Sequence, residues 1–138
     1  MISRWNGRMY EMQQILEHGA KPVLDERRLL SLASGTDIVN PQEIARIIYE
    51  QYQIESPLER AVYLHCNIAR TQPFADCNKR TSRLVEAVEL MAAGLVPCYS
   101  ALPTDVIAYR NAIIHYYETE EYGEYVDYFL SKLEGRIE

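Results

Sequence analysis

The residues best able to do chemistry in this chain lie close together, in the run Gln72–Arg83, which reads Q-P-F-A-D-C-N-K-R-T-S-R. Asp76 is a hard carboxylate suited to holding Mg²⁺ against phosphate oxygens. Asn78 is placed to open a helix, with Lys79, Arg80 and Arg83 in its first turns. The first N–H groups of a helix have no intrahelical partner and lie at the positive end of the macrodipole, so phosphate binds there readily. Arg80 and Arg83 are three apart and share a helical face, where two guanidinium forks can grip phosphate oxygens in pairs. Pro73-Phe74 fixes the preceding loop and supplies an apolar anchor. As residue types alone, the run fits a Mg²⁺–phosphate site and equally a polar loop followed by a solvated basic helix end.

The order of residues resembles the signature of the Fic/Doc family, H-x-F-x-D/E-G-N-G-R-x-x-R in Fic proteins and H-x-F-x-D/N-A-N-K-R in the Doc branch. Phe74, Asp76, Asn78, Arg80 and Arg83 match, and Lys79 with Thr81 gives the N-K-R-T run of Doc-like members. Two positions depart. Gln72 stands where the family has its catalytic histidine, and Cys77 where it has glycine or alanine.

The resemblance implies an all-α Fic fold over 1–138 as one domain, with a short β-hairpin flap before the motif. As cofactors it implies ATP or another nucleotide and Mg²⁺, and as a partner a protein target whose Ser, Thr or Tyr hydroxyl receives AMP (Fic) or phosphate (Doc). Carried over position by position, Gln72 occupies the catalytic place, Asp76 the metal place, and Cys77, Asn78, Lys79, Arg80 and Arg83 the nucleotide-binding places. A glutamine amide has no proton affinity near neutral pH, and general-base help is worth typically ~10²–10⁴-fold. The expectation is therefore nucleotide binding with weak or absent transfer. Its alternatives are a nucleotide-regulated pseudo-enzyme and an interaction module of a toxin–antitoxin type system.

Cysteine does not adopt positive φ as glycine does, so the loop is expected to take the shape of the alanine-bearing Doc branch. Lys79 puts an ammonium at the phosphate mouth, which favours a Doc-like nucleotide pose. Many Fic proteins are inhibited by a glutamate in an S/T-x-x-x-E-G/N motif that pairs with the second motif arginine, here Arg83. Ser131-Lys132-Leu133-Glu134-Gly135 is one residue short of it, a rotation of about 100° in a helix. If the chain is regulated in this way, an antitoxin-like partner must supply the glutamate.

Other candidates read as structural. His65, seven residues before Gln72, is expected to be a core histidine bonded to the backbone, His115 structural or exposed, and His18 a helix-end cation. Cys77 at a helix start beside Lys79 and Arg80 has the setting of a lowered thiol pKa, but more simply meets a need for a small residue. Cys66, Cys77 and Cys98, an odd number without C-x-x-C spacing, fit neither a disulfide framework nor a zinc site.

The elements that must position the motif are helical. Trp5, Met9, Met12 and Leu16 pattern a helix over 2–18. The stretch from Asp25 through Ser34-Gly35 to Val39 could close into the hairpin flap, with its first half alternatively helical. Asn40-Pro41 opens a helix in which Glu43 is set to reach back to the cap and Ile44, Ile47, Ile48 and Tyr52 form the apolar stripe; Ser56-Pro57 opens one with Leu58, Val62, Leu64 and Ile68 inward. The motif helix carries Leu84, Val88, Met91 and Leu95 at helical spacing and ends at Gly94. A loop over 96–103 leads to a helix over about 104–118 with Val106, Tyr109, Ile113 and Tyr117 inward, and a last helix uses Val126, Phe129 and Leu133 up to Gly135. No sustained strand pattern stands out.

The 138 residues are 48% hydrophobic and 25% charged, ordinary for a globular domain that buries a core. A net charge of −6 argues against nucleic acid as a partner, so any phosphate site is local. The absence of a membrane-length apolar run or a signal-peptide start leads to the expectation of a cytoplasmic protein away from membranes. The eleven tyrosines, concentrated toward the C-terminus, suit a core and a homodimer interface.

Overall fold

The computed structural model describes residues 21–33, 35–97 and 102–136, the last four by backbone alone. The expected helix over 2–18 lies outside the described residues. In chain order the elements are α1 (Glu26–Leu32), α2 (Pro41–Gln51), α3 (Pro57–Thr71), α4 (Asn78–Ala92), β1 (Leu95–Pro97), α5 (Pro103–Thr119), α6 (Gly123–Lys132) and β2 (Leu133–Arg136). The fold is all-α, as the motif implied, with one small antiparallel ribbon in which Leu95 faces Arg136 and Val96 faces Gly135.

Local chemistry explains most helix ends. Ser56 caps α3 by accepting from the Glu59 N–H at 3.2 Å, with Pro57 in the first turn. Asp25 caps α1 the same way, accepting from Arg28 N–H at 2.8 Å. The start of α2 falls at Pro41 as expected, but Asn40 caps with its backbone. Its carbonyl accepts from Glu43 and Ile44, and its side-chain amide donates to the Thr71 carbonyl at 3.4 Å. Glu43 does not reach back; Arg46, one turn on, holds its carboxylate at 2.7 Å. After α4, Gly94 takes φ +80, a left-handed exit open to a residue without Cβ.

Eleven of the fifteen residues of α3 are buried, which makes it the central helix. One side packs Leu58, Val62 and Cys66 with Leu90, Leu95, Ile113, Tyr116, Tyr125 and Phe129 from α4, β1, α5 and α6. The other packs Leu64 and Ile68 with Leu29, Ile44, Ile47, Val85 and the loop residue Phe74. Each such large side chain contributes about 1.5–3 kcal/mol on burial. Of the tyrosines toward the C-terminus, Tyr109, Tyr116 and Tyr125 are buried in this core, whereas Tyr49 and Tyr52 of the α2 region are exposed.

Three expectations are corrected. First, α4 does not bury Leu84 and Met91, which are 40% and 55% exposed; its inner face is Thr81, Ser82, Val85, Glu86, Glu89 and Leu90. Apolar periodicity misreads this helix because its buried carboxylates are satisfied from other elements. Glu89 pairs with the equally buried Arg60 of α3 at 3.0 Å and accepts from the Val23 and Leu24 N–H groups, while Glu86 accepts from the Tyr125 hydroxyl at 2.6 Å. Second, the described residues of 25–39 form no hairpin flap: the first half is α1, and Ile38 makes a single antiparallel bridge to Phe74. The Asp25 cap commits the stretch to a helix, and the segment after Gly35 finds its pairing partner in the motif loop. Third, the last helix stops at Lys132, because residues 133–136 leave it to pair with β1. Among the described residues no helix is long and apolar enough to cross a membrane.

Candidate functional site

The loop between α3 and α4 carries the motif, and its shape follows from how each helix ends. Gln72 caps α3 in the left-handed region at φ 47, ψ 63, its N–H still donating to the Ile68 carbonyl at 3.1 Å. Phe74 then turns inward, 2% exposed, and packs with Leu64, Ile68 and Val85. Cys77 caps α4 at φ 65, ψ 22. The expectation that cysteine would avoid positive φ is therefore overturned. The strain, about 1–2 kcal/mol for a non-glycine residue, is held by bonds on both sides. Cys77 N–H donates to Asp76 Oδ1 at 2.7 Å, and the Cys77 carbonyl accepts from Thr81 N–H at 2.9 Å.

Asn78 closes the loop on itself. Its Oδ1 accepts from Phe74 N–H at 3.1 Å and its Nδ2 donates to the Phe74 carbonyl at 2.9 Å. With both side-chain ends engaged, what Asn78 can offer a ligand is its backbone. A second strap crosses the loop from outside: Val39 N–H donates to Pro73, Ala75 N–H to Asp37 at 2.8 Å, and Asp76 N–H to Thr36 Oγ1 at 3.0 Å. The segment 36–39 thus occupies the flank of the motif without being a hairpin.

Gln72, Asp76, Cys77, Asn78, Lys79 and Arg80, together with Ala69 and Ala75, line one cavity of about 320 Å³ at the N-terminus of α4. Lys79 and Arg80 are exposed beside it, Cys77 is half-buried, and Asp76 is an exposed carboxylate with Oδ1 on the Cys77 N–H. The first helical bond goes from Thr81 to Cys77, so the N–H groups of residues 78–80 precede it at the positive end of a 15-residue helix. Arg83 is not among the lining residues. It lies one turn on, exposed, with its guanidinium carbon 5.1 Å from the centre of the Tyr109 ring.

A cavity with one carboxylate, two cations and a helix N-terminus suits a phosphate ester. The Fic/DOC family profile matches residues 8–90, more than half of the chain. The chain belongs to the Fic/DOC family. It is 28% identical over 117 residues to the protein adenylyltransferase fic-1 of Caenorhabditis briggsae, an alignment that covers 85% of this chain and 21% of that protein. The chain thus spans about a fifth of the length of this curated relative. No solved structure matches.

In this Fic/DOC chain Gln72 faces the cavity from the end of α3, while Asp76 to Arg80 face it from the loop and the start of α4. Asp76 is the one carboxylate lining the cavity, and no group of three His, Cys, Asp or Glu side chains that could hold a metal is present among the described residues. Such a donor set fits a Mg²⁺ whose remaining ligands are nucleotide oxygens and water rather than protein.

His65 is not a spare base. It is fully buried on α3, its Nε2 hydrogen-bonded to the Tyr109 hydroxyl at 2.9 Å and its Nδ1 3.7 Å from a Glu86 oxygen. Burial, helped by the nearby Arg83 charge, holds its pKa down to about 3, so it is neutral at physiological pH. The Ser131–Gly135 stretch is also remote. It joins α6 to β2, which pairs with β1 beyond the C-terminal end of α4, whereas the cavity lies at the N-terminal end, about 22 Å away along a helix of this length.

His65 and Tyr109 are buried as their sequence positions suggest, but Glu86 and Tyr125, which join them behind the motif helix, are not marked by the sequence pattern. No local signal marks the carboxylates: Glu86 and Glu89 lie off the apolar stripe of Leu84, Val88 and Met91 and are buried because Tyr125 and Arg60 reach them from other helices.

Proposed function

We propose that this chain binds a Mg²⁺–nucleotide at the N-terminus of α4 and descends from enzymes that transfer AMP, or phosphate, from ATP to a protein hydroxyl, with transfer impaired at Gln72. The observation that carries the reading is the convergence of Gln72, Asp76, Lys79 and Arg80 on one cavity at a helix N-terminus. The residues divide the work. Asp76 would hold Mg²⁺, which supplies charge neutralisation to phosphate oxygens when bound. The N–H groups of Asn78 to Arg80 and the two cations receive phosphate oxygens, and positioning of this kind accounts for most phosphoryl-transfer catalysis. Gln72 can orient an incoming hydroxyl by hydrogen bonding but takes no proton from it.

Lys79 at the mouth favours the reversed, Doc-like nucleotide pose, in which the γ-phosphate is the transferred group. An inhibitory carboxylate, where this chain is regulated by one, would come from a separate antitoxin-like partner. The test is calorimetric titration with ATP, with and without Mg²⁺, beside label transfer from α- and γ-labelled ATP to candidate proteins. The expected result is Mg²⁺-dependent binding with slow transfer. No binding at millimolar ATP overturns the nucleotide site; vigorous transfer overturns the impairment.

A further inference from the structure

The nucleotide reading leaves Tyr109 without a role, although the last arginine of the motif rests on it. The Arg83 guanidinium carbon stands 5.1 Å from the Tyr109 ring centre, a separation at which a cation is drawn to the π face. That ring is held in place. Tyr109 is 6% exposed, its hydroxyl is bonded to His65 Nε2 at 2.9 Å, and the rings of Tyr125 and Tyr128 pack edge-on with centres 6.3 and 5.6 Å away. His65 in turn is wedged against Tyr125 at 4.8 Å. A rigid link therefore runs from α3 through Tyr109 of α5 to an exposed side chain on α4.

Arg83 shares a face of α4 with Arg80 one turn deeper, and helical side chains lean toward the N-terminus, here toward the cavity. Free arginine carries roughly 2 kcal/mol of rotamer entropy, and a guanidinium that already waits in one orientation loses less of it on binding.

We propose that Tyr109 is a positioning residue for Arg83, setting the direction from which that guanidinium meets the phosphates of a bound nucleotide. The proposal rests on the nucleotide-site reading above. Mg²⁺–ATP affinity is measured by calorimetry for the unaltered protein, Arg83→Gln, Tyr109→Leu, Tyr109→Phe and the Tyr109→Leu/Arg83→Gln pair, with thermal melts confirming a folded state. Tyr109→Leu weakens binding by about two- to fivefold, the size of one cation–π contact at an exposed guanidinium, and adds nothing once Arg83 is glutamine. Tyr109→Phe, which keeps the ring, stays within about twofold. Equal weakening in both Arg83 backgrounds, no change, or tighter binding by Tyr109→Leu overturns the proposal, the last because the ring would then be storing the cation away from the ligand.

Absence of ATP binding by the unaltered protein defeats the nucleotide reading instead. In that case, or if Tyr109→Leu does not fold, the contact is decided without ligand by NMR. The Arg83 side-chain proton resonances, identified by their loss in Arg83→Gln, are shifted upfield by the ring in the unaltered protein and in Tyr109→Phe. Unshifted resonances overturn the proposal.

Discussion

Replacing Glu89 by leucine tests how the motif helix is fixed to the core. Both side chains of the Arg60–Glu89 pair are fully buried. Glu89 Oε2 takes the Arg60 Nε at 3.0 Å, its Oε1 takes the Val23 and Leu24 N–H groups at 3.2 and 3.1 Å, and Arg60 Nη1 donates onward to the Ile54 carbonyl at 2.8 Å. Leucine strands a guanidinium in the core. Breaking a buried pair by removing one partner costs about 3–5 kcal/mol, and each buried donor left orphaned about 1–3 kcal/mol more. Val23 is partly buried and can turn to water, so the loss should centre on about 5 kcal/mol, against a typical total of roughly 5–15 kcal/mol. Arg60→Met with Glu89→Leu removes both charges and leaves only the orphaned backbone groups, a loss of about 1–3 kcal/mol. The double variant should therefore be more stable than Glu89→Leu. Urea denaturation followed by circular dichroism, with midpoints converted through a common m-value, reads all three proteins. A Glu89→Leu loss under about 1 kcal/mol, or a double variant no more stable than Glu89→Leu, refutes the reasoning.

Other outcomes follow from the same structure. Gln72→His should raise label transfer by about 10²–10⁴-fold without unfolding the chain, since position 72 is exposed and histidine tolerates the left-handed region; a folded variant with unchanged transfer rejects Gln72 as the defect. Asn78→Ala removes both bonds to Phe74 and should lower stability by about 1–3 kcal/mol and weaken ATP binding, and unchanged values for both would show that the loop does not depend on this tether. Because His65 stays neutral down to about pH 3 when folded while the unfolded chain takes up its proton near 6.5, its contribution is complete above pH 6.5 and falls as the pH drops through that window, by up to about 1.4 kcal/mol per unit. Urea titrations between pH 5 and 8, above most carboxylate titration, should show that slope, and a flat profile argues against the buried neutral ring. Iodoacetamide should label Cys77, more slowly with Mg²⁺–ATP bound, and spare Cys66, whose thiol burial pushes up; the reverse order contradicts the placement of these thiols.

The motif and its flanking helices could be read from residue types because their signals are local. Ser56-Pro57 announces α3, Gly94 announces the end of α4, and the order from Phe74 to Arg83 announces the loop between them. What escaped the sequence depends on partners distant along the chain. Glu86 and Glu89 look like a solvated face until Tyr125 and Arg60 arrive from other helices, and Leu84 and Met91 look like core until those carboxylates take their place. The pairing of β1 with β2 joins residues nearly forty apart, and three or four residues carry too short a pattern to announce a strand. At the site, Asp76, Lys79 and Arg80 gather as their spacing suggests, whereas Arg83 lies outside the cavity lining against Tyr109, which no motif marks.

The position proposed to meet the hydroxyl and those proposed to hold phosphate hang from different helices: residue 72 is the C-cap of α3, and residues 78–80 are the first of α4. Between them the loop is knotted by Asn78 onto Phe74, and Phe74 is rooted in the core, so neither end steers the other through the backbone. On the function proposed above, a substitution at residue 72 and one within residues 76–80 then act independently, the first on transfer and the second on nucleotide affinity.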